Sequence, residues 1–266
     1  MKKTKIIAVS NQKSSGKTTT AINIGSALAM KGYKVLLIDF DAQESLSNFF
    51  GFYGEEKNIA QLLFSVIDKK IVNVEDFIFH NEENNVDIIP TNLSDMNDFS
   101  KIIIAERGKE TVLKRLIRRS DVFDKYDFIL VDCNASVDIT VDNALTAADY
   151  VLIPCWAAPF NYGPLSNTIM QIEDIREELN PDLEILGIIA TFCDRTTNCT
   201  ATKEMLYKNF PQMCATTISR TACADTSLKE KAAVLSNAKA NKTSQEYKAL
   251  ATELIDRIER RDLNEI

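Results

Sequence analysis

The sequence contains little histidine, cysteine, glycine or proline, and each shortage excludes a class of protein. Its one histidine is His80, and its six cysteines form no C-x-x-C pair, so the usual ligand sets of zinc and iron–sulfur proteins are missing. With eight glycines and six prolines in 266 residues, no stretch resembles a flexible linker, an internal repeat or a low-complexity segment. We therefore expect one domain spanning residues 1–266, located in the cytoplasm with reduced thiols.

Long hydrophobic runs and an excess of positive charge are also absent. No run of about 18 apolar residues occurs, which argues against a membrane-spanning helix, and the apolar run in "MKKTKIIAVSNQ" is too short for a signal peptide. The formal net charge is −7, which excludes a uniformly basic nucleic-acid-binding surface but not a local basic patch. Residues 200–266 hold 11 Lys/Arg and 9 Asp/Glu, a balance of +2, so the rest of the chain carries −9.

Short apolar runs alternate with helical patterns along the chain, which predicts a doubly wound α/β fold. A strand at 5–10, a helix at 17–30 and a strand at 34–41 form a βαβ unit, and hence a parallel pair of strands. Further strands are predicted at 86–90, 127–132, 150–155 and 184–192, and helices at 108–119, 163–178 and 243–261. We expect one mostly parallel sheet with helices on both faces.

The segment 243–261 has two interpretations. Tyr247, Leu250, Leu254 and Ile258 fall on one helical stripe, which is typical of a helix packed on a sheet. A membrane-surface helix would need bulky aromatic residues and a lysine-rich polar face, whereas acidic residues interrupt the basic ones here. The pattern favours the packed helix.

The stretch "NQKSSGKTTT", residues 11–20, lies between the first predicted strand and the first predicted helix. In that position, backbone N–H groups of a loop and of a helix N-terminus can bind phosphates. Lys17 would reach the β- and γ-phosphates, and the Thr18 hydroxyl would bind Mg²⁺. The full template, G-x-x-x-x-G-K-[ST], has glycine where this chain has Asn11. Asparagine tolerates a left-handed backbone better than most residues, so the substitution is compatible with a phosphate loop.

Acidic residues end two of the predicted strands. Asp39 and Asp41 occur in "IDFDAQ", and Asp132 occurs in "FILVDCN". Ligands of open α/β sheets bind beyond the carboxyl ends of the strands, where such acids can position Mg²⁺. Asp39 and Asp132 are the predicted metal residues together with Thr18, and Asp41, two residues further out, could orient an attacking water. Taken singly, each acid could instead cap a helix or begin a turn.

The stretch "NQKSSGKTTTAINIGSALAMKGYKVLLIDFDAQESLS" resembles the opening of the ParA family of partition ATPases, in the ParA/MinD superfamily. The resemblance continues in collinear order through "VDIIPTNLSDMND", "YDFILVDCNAS", "NALTAADYVLIPC", "LEILGIIATFCDRTTN" and "TTISRTACADTS", and so spans nearly the whole chain. It implies slow hydrolysis of ATP with Mg²⁺ by an ATP-dependent homodimer. Lys17 and Asp41 would act in catalysis, and Asp132 would occupy the Walker B position.

The family also has a signature lysine that crosses to the partner subunit's phosphates. The family spacing from signature lysine to loop lysine is five residues, but Lys13 and Lys17 are four apart, and Ser14 and Ser15 stand where glycines are expected. Aligned backwards from Gly16, the signature position falls on Gln12 instead. The residues expected to bind nucleotide are Asn11, Lys13, Ser14, Ser15, Gly16, Lys17, Thr18 and Thr19, with Lys13 also expected to act in catalysis.

Other family motifs are altered as well. Ala42 replaces the proline of D-x-D-P-Q, and the second switch, usually D-x-P-P, reads Asp132-Cys133-Asn134-Ala135. The loss of both prolines predicts a more flexible second switch loop.

The resemblance further implies non-specific DNA binding and a ParB-like centromere-binding partner, in a nucleoid-associated protein without membrane attachment. Arg195 and Arg220 match family arginines for DNA, while a second arginine of the latter motif is Cys223 here. Further candidates are Lys203, Lys208, Lys229 and Lys231. The first strand begins at residue 5, so no N-terminal helix-turn-helix domain is expected.

Two alternative functions are consistent with the same fold. A MinD-like membrane switch would need an amphipathic tail beyond the last helix, but the remaining "RRDLNEI" is short, and its two acidic residues offset its two arginines. A nucleotide-binding scaffold or positioning protein with weak or absent hydrolysis would explain the altered loop. Partition ATPase is the prediction that the sequence favours.

Overall fold

The apolar runs predicted as strands lie side by side in one sheet of a computed structural model, which describes residues 4–12, 14–159, 162–221, 233–235 and 242–264. The strand order is β3-β4-β2-β5-β1-β6-β7. All neighbouring pairs are parallel except β3 with β4. The strands are β1 Lys5–Val9, β2 Val35–Phe40, β3 Phe79–Asn81, β4 Val86–Ile89, β5 Phe128–Cys133, β6 Tyr150–Trp156 and β7 Glu184–Thr191. The predicted doubly wound, mostly parallel fold is confirmed.

Helices connect the strands and cover both faces of the sheet. They are α1 Lys17–Met30, α2 Ser45–Phe50, α3 Ile59–Ile67, α4 Leu93–Ile102, α5 Val112–Arg118, α6 Ile139–Ala147, α7 Tyr162–Glu178, α8 Thr197–Asn209 and, after the gaps, α9 Lys242–Asn264. Short 3-10 turns lie at Val74–Phe77, Ile103–Ala105, Lys109–Thr111 and Phe123–Lys125. None of the helices in the described ranges combines the length and apolar character needed to cross a bilayer.

The core forms two layers, one on each side of the sheet. Along β2, Leu36, Ile38 and Phe40 are buried in the layer under α3, α4 and α5, while Val35 and Leu37 belong to the layer under α1 and α9. Burial on both faces explains why these strands are continuous apolar runs without alternation. The buried side of α9 includes Tyr247, Leu250, Leu254 and Ile258, and α9 contacts α1 and β7, as the packed-helix interpretation requires.

The strand order brings the chemistry-bearing strand ends together. Strand β5 lies between β1 and β2, and in this parallel arrangement Asp132 is level with Val9 on one side and Asp39 on the other. The loop after β1 and the two acidic strand ends therefore meet at one edge of the sheet.

Gly187 on β7 has no side chain, which allows Cys214 and Arg257 to pack closely against the strand. A Cβ atom at this position would lie 2.4 Å from Cys214 Sγ and 3.3 Å from Arg257 Nη1. Arg257 lies on α9 and donates to the carbonyls of Leu186 on β7 and of Gln212 and Met213, so it connects α9, β7 and the segment that contains Cys214.

We expect Gly187→Ala to lower the free energy of unfolding by about 1–3 kcal/mol because the added methyl overpacks the core. Urea unfolding of the single variant, of Cys214→Ala and of the double variant measures this. The double variant should lose less than the sum of the single losses. Gly163→Ala is the control, since nothing lies within 4 Å of its Cβ position. Additive losses would show that the two positions do not compete for space.

Candidate functional site

Residues 10–12 and 14–16 lie between β1 and α1. Gly16 precedes α1 in a left-handed conformation (φ 87°), and no side chain caps this helix end. The first turn of α1 also carries no acidic residue. The N-terminal amides of α1 are therefore available to an anion, and the positive end of the helix dipole favours one. Thr18 and Thr19 lie in this first turn.

Asn11 takes a different role from the one its position in the template suggested. Positive φ occurs at Ser14 (65°) and Gly16, not at Asn11. Its amide instead ties the loop to the sheet: Nδ2 donates to Pro154 O at 2.6 Å, and Oδ1 accepts from Gln12 N at 2.7 Å and from Thr168 Oγ1 at 3.0 Å. The expectation that a left-handed Asn11 compensates for the missing glycine is wrong, because side-chain hydrogen bonds fix this end of the loop.

The Lys17 side chain is buried under the loop. It is 8% exposed, and its ammonium lies 3.5 Å from Gln12 O. Burial lowers the pKa of Lys17, and the nearby charges of Asp132 and Asp41 oppose that shift. A buried cation facing carboxylates is a binding site for phosphate oxygens once a second cation balances the acids. Lys13 lies outside the described residues.

Asp132 is a buried acid at this edge of the sheet. It is fully buried, and neither carboxylate oxygen has a hydrogen bond of ordinary geometry among the described residues. Burial raises the pKa of Asp132 well above its usual value, and the charge of Asp39 adds to this, while the adjacent Thr18 hydroxyl and Lys17 lower it. A buried acid without bonded oxygens, next to a threonine hydroxyl, matches the donor set of a hard cation such as Mg²⁺.

Asp39 is equally buried but already bonded. Its Oδ2 accepts from Ser47 N at 2.8 Å and Ser47 Oγ at 2.6 Å, and its Oδ1 accepts from Asp41 N at 3.3 Å. Ser47 Oγ also accepts from Thr91 N at 2.9 Å, so the acid joins β2, α2 and the end of β4. Burial raises the pKa of Asp39 to about 7, although the bonds from Ser47 oppose the shift. A metal role for Asp39 stays a prediction with less geometric support than that for Asp132.

The segment after β2 contains Asp41 and an unpredicted buried acid. Asp41 is half-buried, and its Oδ1 accepts from Gln43 N at 3.0 Å. Glu44 has a positive φ of 54° and is 3% exposed, and its Oε1 accepts from Leu93 N at the start of α4. Asp41 therefore lies on a short turn that is fixed at both ends, by Asp39 before it and by Glu44 after it.

The loop after Asp132 is held by side-chain hydrogen bonds. Asn134 Nδ2 donates to Thr140 Oγ1 at 2.6 Å and to Asp138 Oδ2 at 3.0 Å, and its Oδ1 accepts from Ser136 N at 2.9 Å. Asp138 also caps α6 by accepting from Thr140 N and Val141 N. These side-chain hydrogen bonds restrain the loop where the family has two prolines, and the greater flexibility of this loop stays a prediction.

A cavity of about 360 Å³ adjoins the loop at Gly16. Its walls include Trp156, Phe192, Ile218 and Tyr247, and the Trp156 and Phe192 rings meet edge-on with centroids 5.9 Å apart. Such flat apolar walls suit a planar base. Sequence reasoning missed these residues, although Trp156 ends β6 and Phe192 follows β7, at the edge where α/β sheets bind ligands.

The structure brings Arg195 and Arg220 into neighbouring segments. Both side chains are exposed. Their segments lie side by side, because Arg220 N donates to Cys193 O at 2.8 Å and Cys193 forms a parallel β-bridge with Ser219. Arg220 also lines the cavity beside Gly16. Lys203 and Lys208 lie on α8, half-buried and exposed respectively. Cys223, Lys229 and Lys231 lie outside the described residues.

Fold and loop together define a P-loop nucleotide-binding protein. A family model described as an AAA domain matches residues 4–185. An uncharacterised protein of Mycobacterium tuberculosis is 33% identical over 95% of this chain and 79% of its own length. The chromosome partitioning protein ParA of Caulobacter vibrioides is 35% identical over 72% of this chain and 70% of its own length. The chain belongs to the ParA family of the ParA/MinD superfamily.

Solved structures agree with this assignment. The cobyrinic acid a,c-diamide synthase of Mycobacterium smegmatis with bound ADP and magnesium superposes with a TM-score of 0.81 at 25% identity, covering 96% of both chains. A putative plasmid partition protein of Borrelia burgdorferi bound to AMPPNP gives a TM-score of 0.77 at 28% identity, covering 97% of this chain and all of the other. The expected cofactors, ATP and Mg²⁺, are of the kind bound in these neighbours.

We expect Asp39→Asn to change how stability depends on pH. Because the pKa of Asp39 is near 4 in the unfolded chain and about 7 in the native protein, wild-type stability should fall as pH rises between those values. The variant lacks this titration, so its stability relative to wild type should grow by roughly 1–4 kcal/mol from about pH 5 to about pH 8.

Urea unfolding in EDTA without nucleotide checks this expectation. Asp174→Asn, on an exposed position of α7, is the control and should keep the wild-type profile. A difference between Asp39→Asn and wild type that stays constant with pH would contradict the interpretation.

Proposed function

We propose that the protein is a ParA-type ATPase that partitions DNA, either a plasmid or a chromosome, and hydrolyses ATP slowly to ADP and phosphate. The observation that carries this proposal is that Lys17 and Asp132 are both buried, and near enough for each to affect the pKa of the other, at the uncapped N-terminus of α1. An ammonium, free amides and a carboxylate without bonded oxygens are the three groups that a nucleotide–magnesium complex requires.

Binding of ATP and Mg²⁺ uses residues on both sides of Lys17. The loop from Asn11 to Thr19 would hold the phosphates through its amides, and Lys17 would neutralise the β- and γ-phosphates. Thr18 and Asp132 would hold Mg²⁺, with Asp39 as a further candidate. When bound, the ion supplies positive charge to the phosphate oxygens. The aromatic cavity beside Gly16 would accept the base.

Hydrolysis depends on an acid that can orient water. Asp41 is half-buried at the mouth of the site and close enough to Lys17 to influence its pKa. It would accept a hydrogen bond from the attacking water, while Lys13 would reach the phosphates bound by a second subunit. We therefore propose an ATP-dependent homodimer, stimulated by a ParB-like centromere-binding protein.

DNA of any sequence would contact the surface formed by the two neighbouring segments that carry Arg195 and Arg220. Their exposure and adjacency support phosphate contacts, which need no base-specific geometry. A cytoplasmic, nucleoid-associated protein follows from this proposal.

One observation favours the alternative, a nucleotide-binding scaffold with weak or absent hydrolysis. Ser14 adopts a left-handed conformation (φ 65°) that glycine would adopt without steric cost. A loop strained in this way can bind phosphate yet position it less well for attack.

We expect Lys17→Ala to abolish ATP binding, and Asp41→Ala to keep binding while lowering the hydrolysis rate about a hundredfold. Titration with a fluorescent ATP analogue and phosphate release with Mg²⁺ measure the two effects. Lys31→Ala, at the other end of α1, is the control for the lysine substitution. Equal rates for wild type and Asp41→Ala would favour the scaffold. Absence of binding at about millimolar ATP would refute both functions.

For DNA, we expect the pair Arg195→Ala and Arg220→Ala to weaken ATP-dependent binding to duplexes of any sequence. The salt dependence should also lose about one unit of slope per arginine, because fewer counterions are released. Anisotropy over a salt series measures this, and Lys31→Ala with Arg260→Ala is the matched control. ATP affinity is measured in parallel because Arg220 lines the cavity. Unchanged DNA affinity would show that other residues contact the backbone.

A further inference from the structure

A concave surface lies at the end of the molecule opposite the phosphate loop. It is a groove of about 400 Å³ between the C-terminal ends of α3 and α5, and it is called the basic groove below. Helix α5 leads through Phe123–Lys125 to the start of β5, so the groove lies where the strands begin. Its cationic members are Lys69, Lys70 and Arg119, and its apolar members include Val66, Ile71 and Leu116.

The basic groove is an exception in an acidic protein. The chain carries a formal charge of −7, yet residues 107–119 hold six Lys/Arg and one Glu. Lys69, Lys70 and Arg119 are exposed. One neighbouring acid, Asp68, pairs with Lys70 at 2.8 Å, but both side chains are about half exposed or more, so this pair is weak. The groove therefore keeps a net positive charge.

Two arginines beside the groove lie near one carbonyl oxygen, which also accepts from Lys69 N at 3.4 Å. Arg115 Nη2 and Arg119 Nη1 each lie 3.4 Å from Val66 O, at the end of α3. Arg115 lies in the last turn of α5, and Arg119 follows the end of the helix. Because the two residues are four apart, they lie on the same side of the helix. Each guanidinium has five N–H donors and uses one in this contact. The remaining N–H donors of each guanidinium can bind an acidic group.

The turn that ends α3 contains two residues that are unfavourable for stability. Lys69 adopts φ 57° in a turn closed by Lys70 N donating to Ser65 O at 2.8 Å, where glycine is strongly preferred. Two residues later, the Ile71 side chain is fully exposed (101%). A strained lysine and an exposed isoleucine in three residues place charge and apolar surface together at the groove.

We propose that the basic groove docks an acidic peptide segment of a partner protein, with an apolar side chain of that segment packed against Ile71 and the groove wall. Charge complementarity selects an acidic ligand. The apolar wall favours a peptide over a nucleic-acid backbone, which has no apolar side chain to fill it. This surface is remote from the phosphate loop and is independent of the proposed DNA contacts at Arg195 and Arg220.

Fluorescence anisotropy with a labelled peptide of four Glu-Glu-Leu repeats tests the proposal on the full chain. Lys70→Glu with Arg119→Glu should weaken binding about tenfold or more at about 50 mM salt and less at about 300 mM. The matched control, Lys31→Glu with Lys248→Glu, should stay within about twofold. Ile71→Ser should lower the affinity for this leucine-containing peptide but leave the affinity for a matched peptide of Glu-Glu-Ser repeats unchanged.

Lys69→Gly separates binding from folding. It removes a charge and the strained conformation together, so it should raise thermal stability while weakening peptide binding about threefold. Equal losses in the groove variant and its control would overturn the proposal, as would no loss in either. Loss of duplex DNA binding, or of self-association in sedimentation, in the groove variant without loss of peptide binding would also overturn it.

Discussion

The burial of both the Lys17 ammonium and the Asp132 carboxylate at one edge of the sheet is the constraint on which the site depends. Water solvates neither group well, and each makes the charged form of the other more favourable. The pairing of β1 with β5 brings the two groups to the same edge of the sheet, because Val9 and Asp132 are level and Lys17 begins the helix after β1. Removing either charge would leave the other uncompensated, so the fold of this edge and its capacity for polyanions depend on the same pair.

Much of the fold could be predicted because parallel strands buried on both faces are continuous apolar runs. Six of the seven strands within the described ranges were predicted from largely apolar runs. The seventh, β3, is three half-buried or exposed residues at the sheet edge, where His80 pairs across with Asp87, and so it lacks a hydrophobic signal. No ranges were predicted from the sequence for α2, α3, α4, α6 and α8. Of these, α2 has the weakest signal, because it has six residues and begins after Glu44 in a left-handed conformation, without a side-chain cap.

The positions of Asp39 and Asp132 could be predicted because each lies at the end of an apolar strand, and that of Lys17 because it begins the helix after β1. The partners of these residues could not, since they come from distant segments. Ser47 joins Asp39 to Thr91, 44 residues later, and Thr168 reaches Asn11 from α7, 157 residues away. Template reasoning treats Asn11 as a substitute for glycine in backbone conformation. The structure uses its amide instead, which a one-dimensional pattern does not represent.

The contact between Gly16 and the Phe192 ring limits how far this loop can diverge. A side chain at position 16 would meet a strained left-handed backbone and a ring 3.2 Å away. Ser14 and Ser15 face no such double restriction, so evolutionary drift can remove glycines there while the last one is retained. In relatives of this chain, we expect changes at position 16 to occur together with a smaller residue at position 192.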